Sequence, residues 1–192
     1  MQKTCQTLQK GNAMKLIAAV DQHWGIGKNG RLLVSIPEDM KYFRGTTTGG
    51  VVVMGRRTLE SFPGRRPLSG RTNIVLSNNP AYTVRGAAVV HSLDELSRAL
   101  DAFDTDQVFV IGGETIYRLL YSQCDTAYIT RIDYAYEADA HFPDLDADPD
   151  WQLVGESEEQ TYFDLTYRFC TYRNTIFSGR DQDGYRGQEI IC

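Results

Sequence analysis

The sequence of 192 residues has no long apolar run and few cysteines. Its apolar run nearest the N-terminus, residues 16–20, is far shorter than the about 20 residues of a membrane-spanning helix, and it is also too short for the core of a secretory signal. The four cysteines, Cys5, Cys124, Cys170 and Cys192, are scattered and form no Cys-x-x-Cys pair. This spacing argues against a disulfide framework or a zinc site, and it favours free thiols in a reducing cytoplasm.

Basic residues and histidines are also too few or too dispersed for several functions. Lys and Arg number 20 against 25 Asp and Glu, which gives a formal net charge of -5. We do not expect such a protein to coat nucleic acid or an anionic membrane. The histidines His23, His91 and His141 stand alone, so no metal site and no Cys/His or Ser/His pair can be proposed.

The remaining composition predicts one globular domain. Hydrophobic residues make up 42% of the chain and charged residues 23%, which is typical of a globular protein with a single core. We assign residues 14–174 to this domain. Residues 1–13 are polar and predict an N-terminal extension, with Met14 as an alternative start. Residues 175–192 are rich in glycine and charge and predict a C-terminal tail, and we expect both ends to be poorly ordered.

Strands and helices alternate along the first two thirds of the chain. The pattern predicts strands at 15–20, 50–54, 72–76, 88–91, 107–111, 125–132, 151–158 and 161–173, and helices at 37–44, 56–61, 93–103 and from 114 to 121. The runs 51–54 and 108–111 are wholly apolar, which is typical of central strands covered on both faces. The expected fold is therefore α/β: a single domain with a mostly parallel twisted sheet, helices on both faces and an antiparallel C-terminal edge hairpin.

Residues 25–30 spell G-x-G-x-x-G, and four residues separate this motif from the end of the first strand at Val20. A Rossmann phosphate turn would need a helix immediately after these glycines, and none is predicted there. The glycines are better explained by a flexible loop over residues 21–36, with Asn29 and Gly30 as its turn. Such a loop could act as a lid.

Asp39 is the strongest candidate for a catalytic side chain. Pro37 is suited to the first turn of a helix, and acidic residues in that turn complement the helix dipole. Asp39 and Phe43 share one face, with Met40 beside them. A carboxylate among apolar side chains is costly unless a ligand needs it. The alternative is a solvent-exposed acid in the first turn.

Two predicted strand ends carry features that bind anions. The first is Gly55-Arg56-Arg57-Thr58, where arginines at a helix start suit a phosphate monoester such as the 2′-phosphate of NADP. The second is Gly112-Gly113, where two glycines let the backbone approach a pyrophosphate. The alternatives are a solvated basic turn and a plain tight turn. Glu114 would repel a phosphate if it pointed inward, but would favour the helix dipole if it pointed outward.

Two further residues are candidates for ligand contacts. Arg71 comes just before a strand and could clamp a carboxylate with two hydrogen bonds, or could be a surface cation. Thr130 could donate to a buried carboxylate, or could be an ordinary strand threonine.

These motifs together resemble dihydrofolate reductase of the bacterial chromosomal type. The resemblance covers residues 14–174, and its motifs occur in the family's order and spacing: Leu16-Ile17-Ala18-Ala19-Val20, Gly25-Ile26-Gly27, Ile36-Pro37-Glu38-Asp39-Met40, Val53-Met54-Gly55-Arg56-Arg57-Thr58, Gly70-Arg71-Thr72-Asn73-Ile74-Val75-Leu76-Ser77, Ile111-Gly112-Gly113 and His141-Phe142-Pro143. One position departs from the family, because Leu33-Val34 replaces a Pro-Trp pair whose indole normally anchors a water near the acid.

The resemblance implies a fold like that of dihydrofolate reductase and a role for each candidate residue. Asp39 would be the catalytic acid that grips the pterin, and Thr130 would hydrogen-bond to it. The other substrate-binding residues would be Ile17, Ala18, Met40, Phe43, Arg44, Arg71 and Ile111. The NADPH-binding residues would be Ala19, Ile26, Gly27, Gly55, Arg56, Arg57, Thr58, Leu76, Ser77, Asn78, His91, Ile111, Gly112, Gly113, Glu114, Thr115, Ile116 and Tyr117. The segment 21–36 would be the lid over the nicotinamide.

The function implied is NADPH-dependent reduction of dihydrofolate to tetrahydrofolate, a step of one-carbon metabolism and an antifolate target. A cytoplasmic monomer that binds folate-like small molecules, without nucleic acid or membrane, is the expected form. Two alternatives remain open at this point. One is a pyrimidine reductase of flavin biosynthesis with the same fold, which does not need Asp39; the other is a non-catalytic protein that binds NADPH or folate.

Overall fold

The computed structural model describes residues 13–178. The predicted N-terminal extension therefore lies outside the described residues except for its last residue, and so does the predicted tail beyond residue 178. The tail's first residues form a short helix, in which the Thr175 backbone N–H donates to the Asp150 carbonyl over 2.7 Å.

The chain contains twelve strands and five α-helices within the described range. The strands are β1 (Met14–Val20), β2 (Gly25–Lys28), β3 (Arg31–Leu32), β4 (Val51–Gly55), β5 (Thr72–Leu76), β6 (Ala88–Val90), β7 (Val108–Gly112), β8 (Cys124–Ile132), β9 (Ala140–His141), β10 (Trp151–Glu156), β11 (Gln160–Tyr162) and β12 (Leu165–Asn174). The helices are α1 (Pro37–Thr47), α2 (Arg56–Ser61), α3 (Leu93–Leu100), α4 (Glu114–Leu120) and α5 (Thr175–Ser178). Short 3-10 turns lie at Pro63–Arg65, Thr105–Gln107 and Tyr121–Gln123.

Nine strands form the central sheet, in the spatial order β10-β12-β8-β1-β7-β4-β5-β6, with β11 paired to β12. The pairs from β8 to β6 are all parallel, whereas β12 runs antiparallel to β8, β10 and β11. The predicted fold class is confirmed. The expected single strand at 161–173 is a hairpin instead, because the chain reverses at Phe163, whose φ is +51°.

Alternation along β4 explains why helices cover both faces. Val51 and Val53 belong to a first apolar cluster with α3 and α4, while Val52 and Met54 belong to a second cluster with α1 and α2. All four side chains are at most 2% exposed. Burial on both faces favours a wholly apolar strand, and this is what the sequence predicted.

The segment 21–36 is more structured than the predicted loop. Strands β2 and β3 form a small antiparallel sheet with β9, in the order β3-β2-β9. The prediction failed because glycines at 25, 27 and 30 hide any two-residue alternation. Glycine is needed at position 27, since a Cβ there would lie 2.7 Å from the Arg31 carbonyl oxygen.

Helix α1 also extends three residues beyond the predicted end at 44. Gly45, Thr46 and Thr47 have low helix propensity. Thr47 is fully buried and its hydroxyl donates to the Phe43 carbonyl over 2.8 Å, so tertiary packing stabilises the last turn. No helix of the described residues is long and apolar enough to cross a membrane.

Candidate active site

Asp39 lies in the first turn of α1 and points at the central sheet. The Thr130 hydroxyl, from β8, donates to its Oδ1 over 2.6 Å. Burial raises the pKa of Asp39 above its usual value, and the hydrogen bond from Thr130 opposes that rise because it stabilises the charged form. Among the described residues Thr130 is the only hydrogen-bond donor to this carboxylate. Its second oxygen is therefore available to a ligand.

Apolar side chains surround this carboxylate on the face covered by α1. Ile17 and Ile111 are 5% and 9% exposed and belong to the second cluster, against which Phe43 and Tyr128 pack. Met40 is 36% exposed, so it borders the cleft rather than filling it. Ala18 packs against the first cluster on the opposite face, together with Ile26 and Leu76.

Two arginines lie at the other end of α1. Arg71 donates from its Nη1 to the Thr47 hydroxyl over 3.0 Å, and its guanidinium carbon is 5.8 Å from the centre of the Phe43 ring. Burial lowers the pKa of Arg71, and the positive charge of Arg44 lowers it further. Neither arginine forms an ion pair within the part of the chain that the structure describes. Two like charges without a counter-ion favour an anionic ligand.

The two glycine-bearing strand ends lie next to each other, since Met54 of β4 pairs with Gly112 of β7. The peptide bond between Gly112 and Gly113 is cis, and Gly112 has a φ of +112°. A Cβ at Gly112 would lie 3.0 Å from the Tyr117 ring, and a Cβ at Gly55 would lie 3.0 Å from Ile116. Tyr117 and Ile116 thus occupy the space that a side chain would need at these two positions, so only glycine fits there without a shift.

Tyr117 ties this turn to the first strand. Its hydroxyl donates to the Ile17 carbonyl over 2.7 Å, and the ring is 4% exposed. Burial raises the pKa of Tyr117 far above its usual value, and the charge of Asp39 adds to the rise. The phenol therefore stays protonated and acts as a donor.

Polar side chains continue along the carboxyl ends of β4, β5 and β6. Arg56 pairs with Glu60 at 3.1 Å and lies 5.8 Å from the Tyr82 ring, whereas Arg57 is exposed and has no ion pair among the described residues. The His91 ring nitrogen Nδ1 is 2.8 Å from the Ser77 carbonyl oxygen. Because these three strands are neighbours in the sheet, their ends form one continuous polar edge.

Glu114 points away from the glycine turn. One carboxylate oxygen accepts from Arg118 Nε over 3.0 Å, and the other accepts from the His141 backbone N–H over 3.2 Å. The negative charge of Glu114 therefore repels a phosphate at this turn less than an inward-pointing carboxylate would.

The predicted lid residues lie on the small sheet. Gly27 accepts a hydrogen bond from the Asp139 N–H over 3.0 Å, and the Asn29 N–H donates to the Asp139 carboxylate over 2.8 Å. Lys28 forms an ion pair with Glu137. Ala19 packs with a third apolar cluster, made by Ile36, Ile132 and Tyr167.

Sequence analysis missed several residues around Asp39. Tyr42 lies one turn after Asp39 and its ring contacts that of Phe169 in a tilted arrangement, with ring centres 4.5 Å apart. Tyr167 is 2% exposed in the third cluster. Burial raises the pKa of both tyrosines, and the charge of Asp39 contributes to each rise. Because Thr130 and Phe169 are partners across β8 and β12, their alternation marks the face that points to α1. That register was not readable from the sequence.

An open groove of about 320 Å³ lies on the other side of the sheet, around Arg131, Asp146 and Cys170. It includes no predicted site residue, and its arginines are already paired with carboxylates. Among residues 13–178, no group of three His, Cys, Asp or Glu residues is placed to hold a metal ion.

Comparison with known proteins finds relatives of this chain both by sequence and by structure. The family model for dihydrofolate reductase matches residues 13–174. A dihydrofolate reductase of Bacillus subtilis is 36% identical over 170 residues, covering 86% of this chain and 98% of the relative. A dihydrofolate reductase type 3 of Salmonella typhimurium is 40% identical over 131 residues, covering 68% and 78%. The solved dihydrofolate reductase of Enterococcus faecalis, complexed with NADP(H) and RAB-propyl, superposes with a TM-score of 0.75 at 34% identity and covers 84% of this chain and 96% of the other.

Proposed function

The chain belongs to the dihydrofolate reductase family, and we propose that it reduces 7,8-dihydrofolate to 5,6,7,8-tetrahydrofolate with NADPH, using Asp39 as the ionisable group at the pterin. The observation that carries this proposal is the half-buried carboxylate of Asp39, held through one oxygen by Thr130 and open at the other. A carboxylate with a free oxygen in an apolar cleft suits a ligand that donates hydrogen bonds from a nitrogen-rich ring edge.

Asp39 would bind and polarise the pterin. In its ionised form it accepts from the amino-pyrimidine edge, and this negative charge favours the protonated ring, which assists protonation at N5. The raised pKa of Asp39 brings its titration closer to neutral pH, where acid–base assistance is most effective. The hydride for reduction at C6 of the pterin would come from bound NADPH.

The substrate's two ends would be held by opposite ends of α1. The pterin would contact Asp39 with Ile17 and Ile111, and the backbone near Ala18 would border it. Phe43 and Met40 would line the path of the aminobenzoyl group. Arg71, assisted by Arg44, would bind the glutamate carboxylate, because these cations have no counter-ion among the described residues.

The residues along the strand ends fit NADPH. The glycine turn at Gly112 and Gly113 would bring backbone N–H groups close to the pyrophosphate, and exposed Arg57 with Arg56 would bind the 2′-phosphate. The remaining cofactor contacts would come from residues at the ends of β1, β5, β6 and α4 and from the lid: Ala19, Ile26, Gly27, Gly55, Thr58, Leu76, Ser77, Asn78, His91, Ile111, Glu114, Thr115, Ile116 and Tyr117. Glu114 would do so through its backbone, because its side chain is paired elsewhere.

We further propose a monomer that works in the cytoplasm without a nucleic-acid partner. The formal charge of -5 supports the absence of a nucleic-acid partner, since an acidic protein is repelled by phosphate backbones. Light scattering after size-exclusion chromatography tests the monomer, with a mass of 21.7 kDa expected. A mass of twice that value would contradict it.

The activity is tested by following NADPH absorbance when dihydrofolate is added to the purified chain. We expect oxidation of NADPH with formation of tetrahydrofolate, and no oxidation with an aminouracil ribose phosphate. NADPH binding without oxidation would indicate a silent binding protein, and turnover of the aminouracil would indicate the pyrimidine reductase.

A further inference from the structure

Asp21 follows β1 directly and its side chain is fully buried. No Lys, Arg or His of the described residues forms an ion pair with it. A buried carboxylate without a counter-ion is costly unless hydrogen bonds replace its hydration. The burial of Asp21 therefore needs an explanation of its own, separate from the role of Asp39 in the active site.

Three backbone N–H groups donate to the Asp21 carboxylate. Oδ1 accepts from His23 at 2.9 Å and from Gly25 at 2.7 Å, so this oxygen organises the turn that leads into β2. Oδ2 accepts from Tyr136 at 2.9 Å, in the segment 133–139 that follows β8. Oδ1 thus holds the first residues of the segment 21–36, the predicted lid. Oδ2 links these residues to Tyr136, more than 100 positions away in the chain.

The same two segments are in direct contact beside Asp21. A Cβ at Gly25 would lie 2.7 Å from the Ala138 Cβ and 3.0 Å from Asp21 Oδ1. Immediately beyond this contact, Gly25 pairs with His141 and Gly27 with Ala140 across β2 and β9. The carboxylate of Asp21 therefore joins the two chain segments just before β2 and β9 begin to pair, beside a backbone bond from the Gln22 N–H to the Tyr134 carbonyl over 3.1 Å.

Trp24 fixes the other side of this turn. It has a φ of +60°, its ring is stacked on Phe142 with centres 6.0 Å apart, and the guanidinium carbon of Arg131 lies 4.6 Å from the ring centre. The Phe142 N–H donates to the Trp24 carbonyl over 2.8 Å. Because these contacts hold Trp24 in place, we expect a small displacement at Asp21 to move Gly25 and Ile26 as well.

We propose that Asp21 is a positioning residue for the nicotinamide half of NADPH. Through Gly25 and Tyr136 it holds the start of β2 against the segment 133–139, and so fixes where the Ile26 backbone meets the cofactor. This inference rests on the proposed function, because it uses Ile26 as a cofactor contact. Asp21 itself touches neither substrate nor cofactor.

The variant Asp21→Asn separates the effects of the two carboxylate oxygens. The amide keeps an oxygen for the His23 and Gly25 N–H groups, so the turn is retained. Its NH₂ then faces the Tyr136 N–H, and two donors cannot bond to each other. A hydrogen bond to a charged group contributes enough that its loss changes an equilibrium by roughly ten-fold or more.

The test measures the NADPH dissociation constant, the dihydrofolate dissociation constant and the single-turnover hydride-transfer rate of wild type and Asp21→Asn. We expect NADPH binding to weaken and hydride transfer to slow by roughly ten-fold, with dihydrofolate binding in the binary complex changed less than about two-fold. Asp104→Asn is the matched control, since Asp104 is exposed and its carboxylate accepts from the Asp106 N–H within its own turn, away from the segments 21–36 and 133–139. It should leave all three quantities unchanged.

Equal losses for both ligands in Asp21→Asn would mean a merely structural role and would overturn the proposal, as would wild-type values for all three. Wild-type turnover in the same assays checks the proposed function separately. If Asp21→Asn does not fold, hydrogen exchange of the wild type still tests the proposal. In the wild-type NADPH complex, the amides of Gly25 and Tyr136 should be protected from exchange. Rapid exchange at Tyr136 would also overturn the proposal.

Discussion

At the scale of single residues, the Asp39–Thr130 pair controls the chemistry that we propose. The carboxylate is half-buried, and one strand residue from the other side of the cleft donates to it over 2.6 Å. Thr130 therefore orients the Asp39 carboxylate and partly offsets the rise in its pKa that burial causes.

Replacing the acid tests its role in turnover. In Asp39→Asn the charge that favours a protonated pterin is lost, and general acid–base assistance contributes roughly 10²–10⁴-fold. We expect turnover at neutral pH to fall within that range, while the NADPH dissociation constant stays within about two-fold. Steady-state kinetics and cofactor fluorescence measure the two quantities. Turnover close to wild type would remove Asp39 from the mechanism.

The same variant should be more stable than wild type at neutral pH. Because burial raises the folded-state pKa of Asp39, the folded protein holds its proton more tightly than the unfolded chain does. Stability is therefore lost as pH rises from the unfolded-state pKa through the folded-state pKa, and it stays lost above that window. Without ligand, Asp39→Asn should have a higher Tm than wild type at pH 7. The gain should vanish in acid below the window, and a gain independent of pH would contradict this explanation.

Removing the Thr130 hydroxyl should move the pH dependence. Its hydrogen bond stabilises the charged carboxylate and lowers the pKa of Asp39, so Thr130→Val should raise that pKa further. The inflection of kcat/KM that belongs to Asp39 is expected at higher pH in Thr130→Val. Thr130→Ser keeps the hydroxyl and is the control. An unshifted profile in the valine variant would show that the hydrogen bond does not act on the free enzyme.

At the scale of elements, helix α1 places both ends of the substrate site. Its first turn holds Asp39, and its last turn holds Thr47, whose hydroxyl accepts from Arg71 over 3.0 Å. The C-terminal turn is the part that the sequence did not predict, so its stability matters for the arginine subsite.

Two glycines near the end of α1 provide a matched test. Gly45 is helical, and a Cβ added to it would meet no atom within 4 Å, whereas Gly49 is equally uncrowded but has a φ of +85°. Gly45→Ala should stabilise the protein by about 0.5–1 kcal/mol, and Gly49→Ala should destabilise it because a side chain is strained at that φ. Thermal unfolding measures both. The same sign for both variants would contradict this account of the helix end.

At the scale of the whole molecule, the two described cysteines report on opening of the sheet. Cys124 and Cys170 are free, and they are 0% and 3% exposed. Burial raises the pKa of both thiols, so each is slow to react in the folded state.

Thiol labelling of a Cys5→Ser/Cys192→Ser variant should therefore require unfolding. We expect no fast-reacting thiol in native buffer and two in denaturant. NADPH at about 100 times its dissociation constant should slow native-state labelling by roughly 100-fold, because it binds only the folded protein. Labelling unaffected by NADPH would instead indicate local opening around β8 and β12.

Much of the fold was readable from the sequence, for a definite physical reason. Strands that are buried on both faces must be apolar throughout, and β4 and β7 were predicted within one residue of their observed ends. The helix α3 was predicted to begin after Ser92, whose hydroxyl accepts from the Glu95 N–H over 3.1 Å. These signals are local, so no partner strand is needed to recognise them.

The sequence by itself determined the α/β class, the family and the order of α1–α4 and of the central-sheet strands other than β11, because apolar runs, capping residues and glycines at strand ends act over a few positions. Only the tertiary structure decided that residues 25–32 form a sheet with β9 and that Asp21 ties two distant segments. Each of these depends on register between strands that lie far apart in the chain. Register is set by packing and hydrogen bonding across the whole sheet, and no single stretch of sequence carries it.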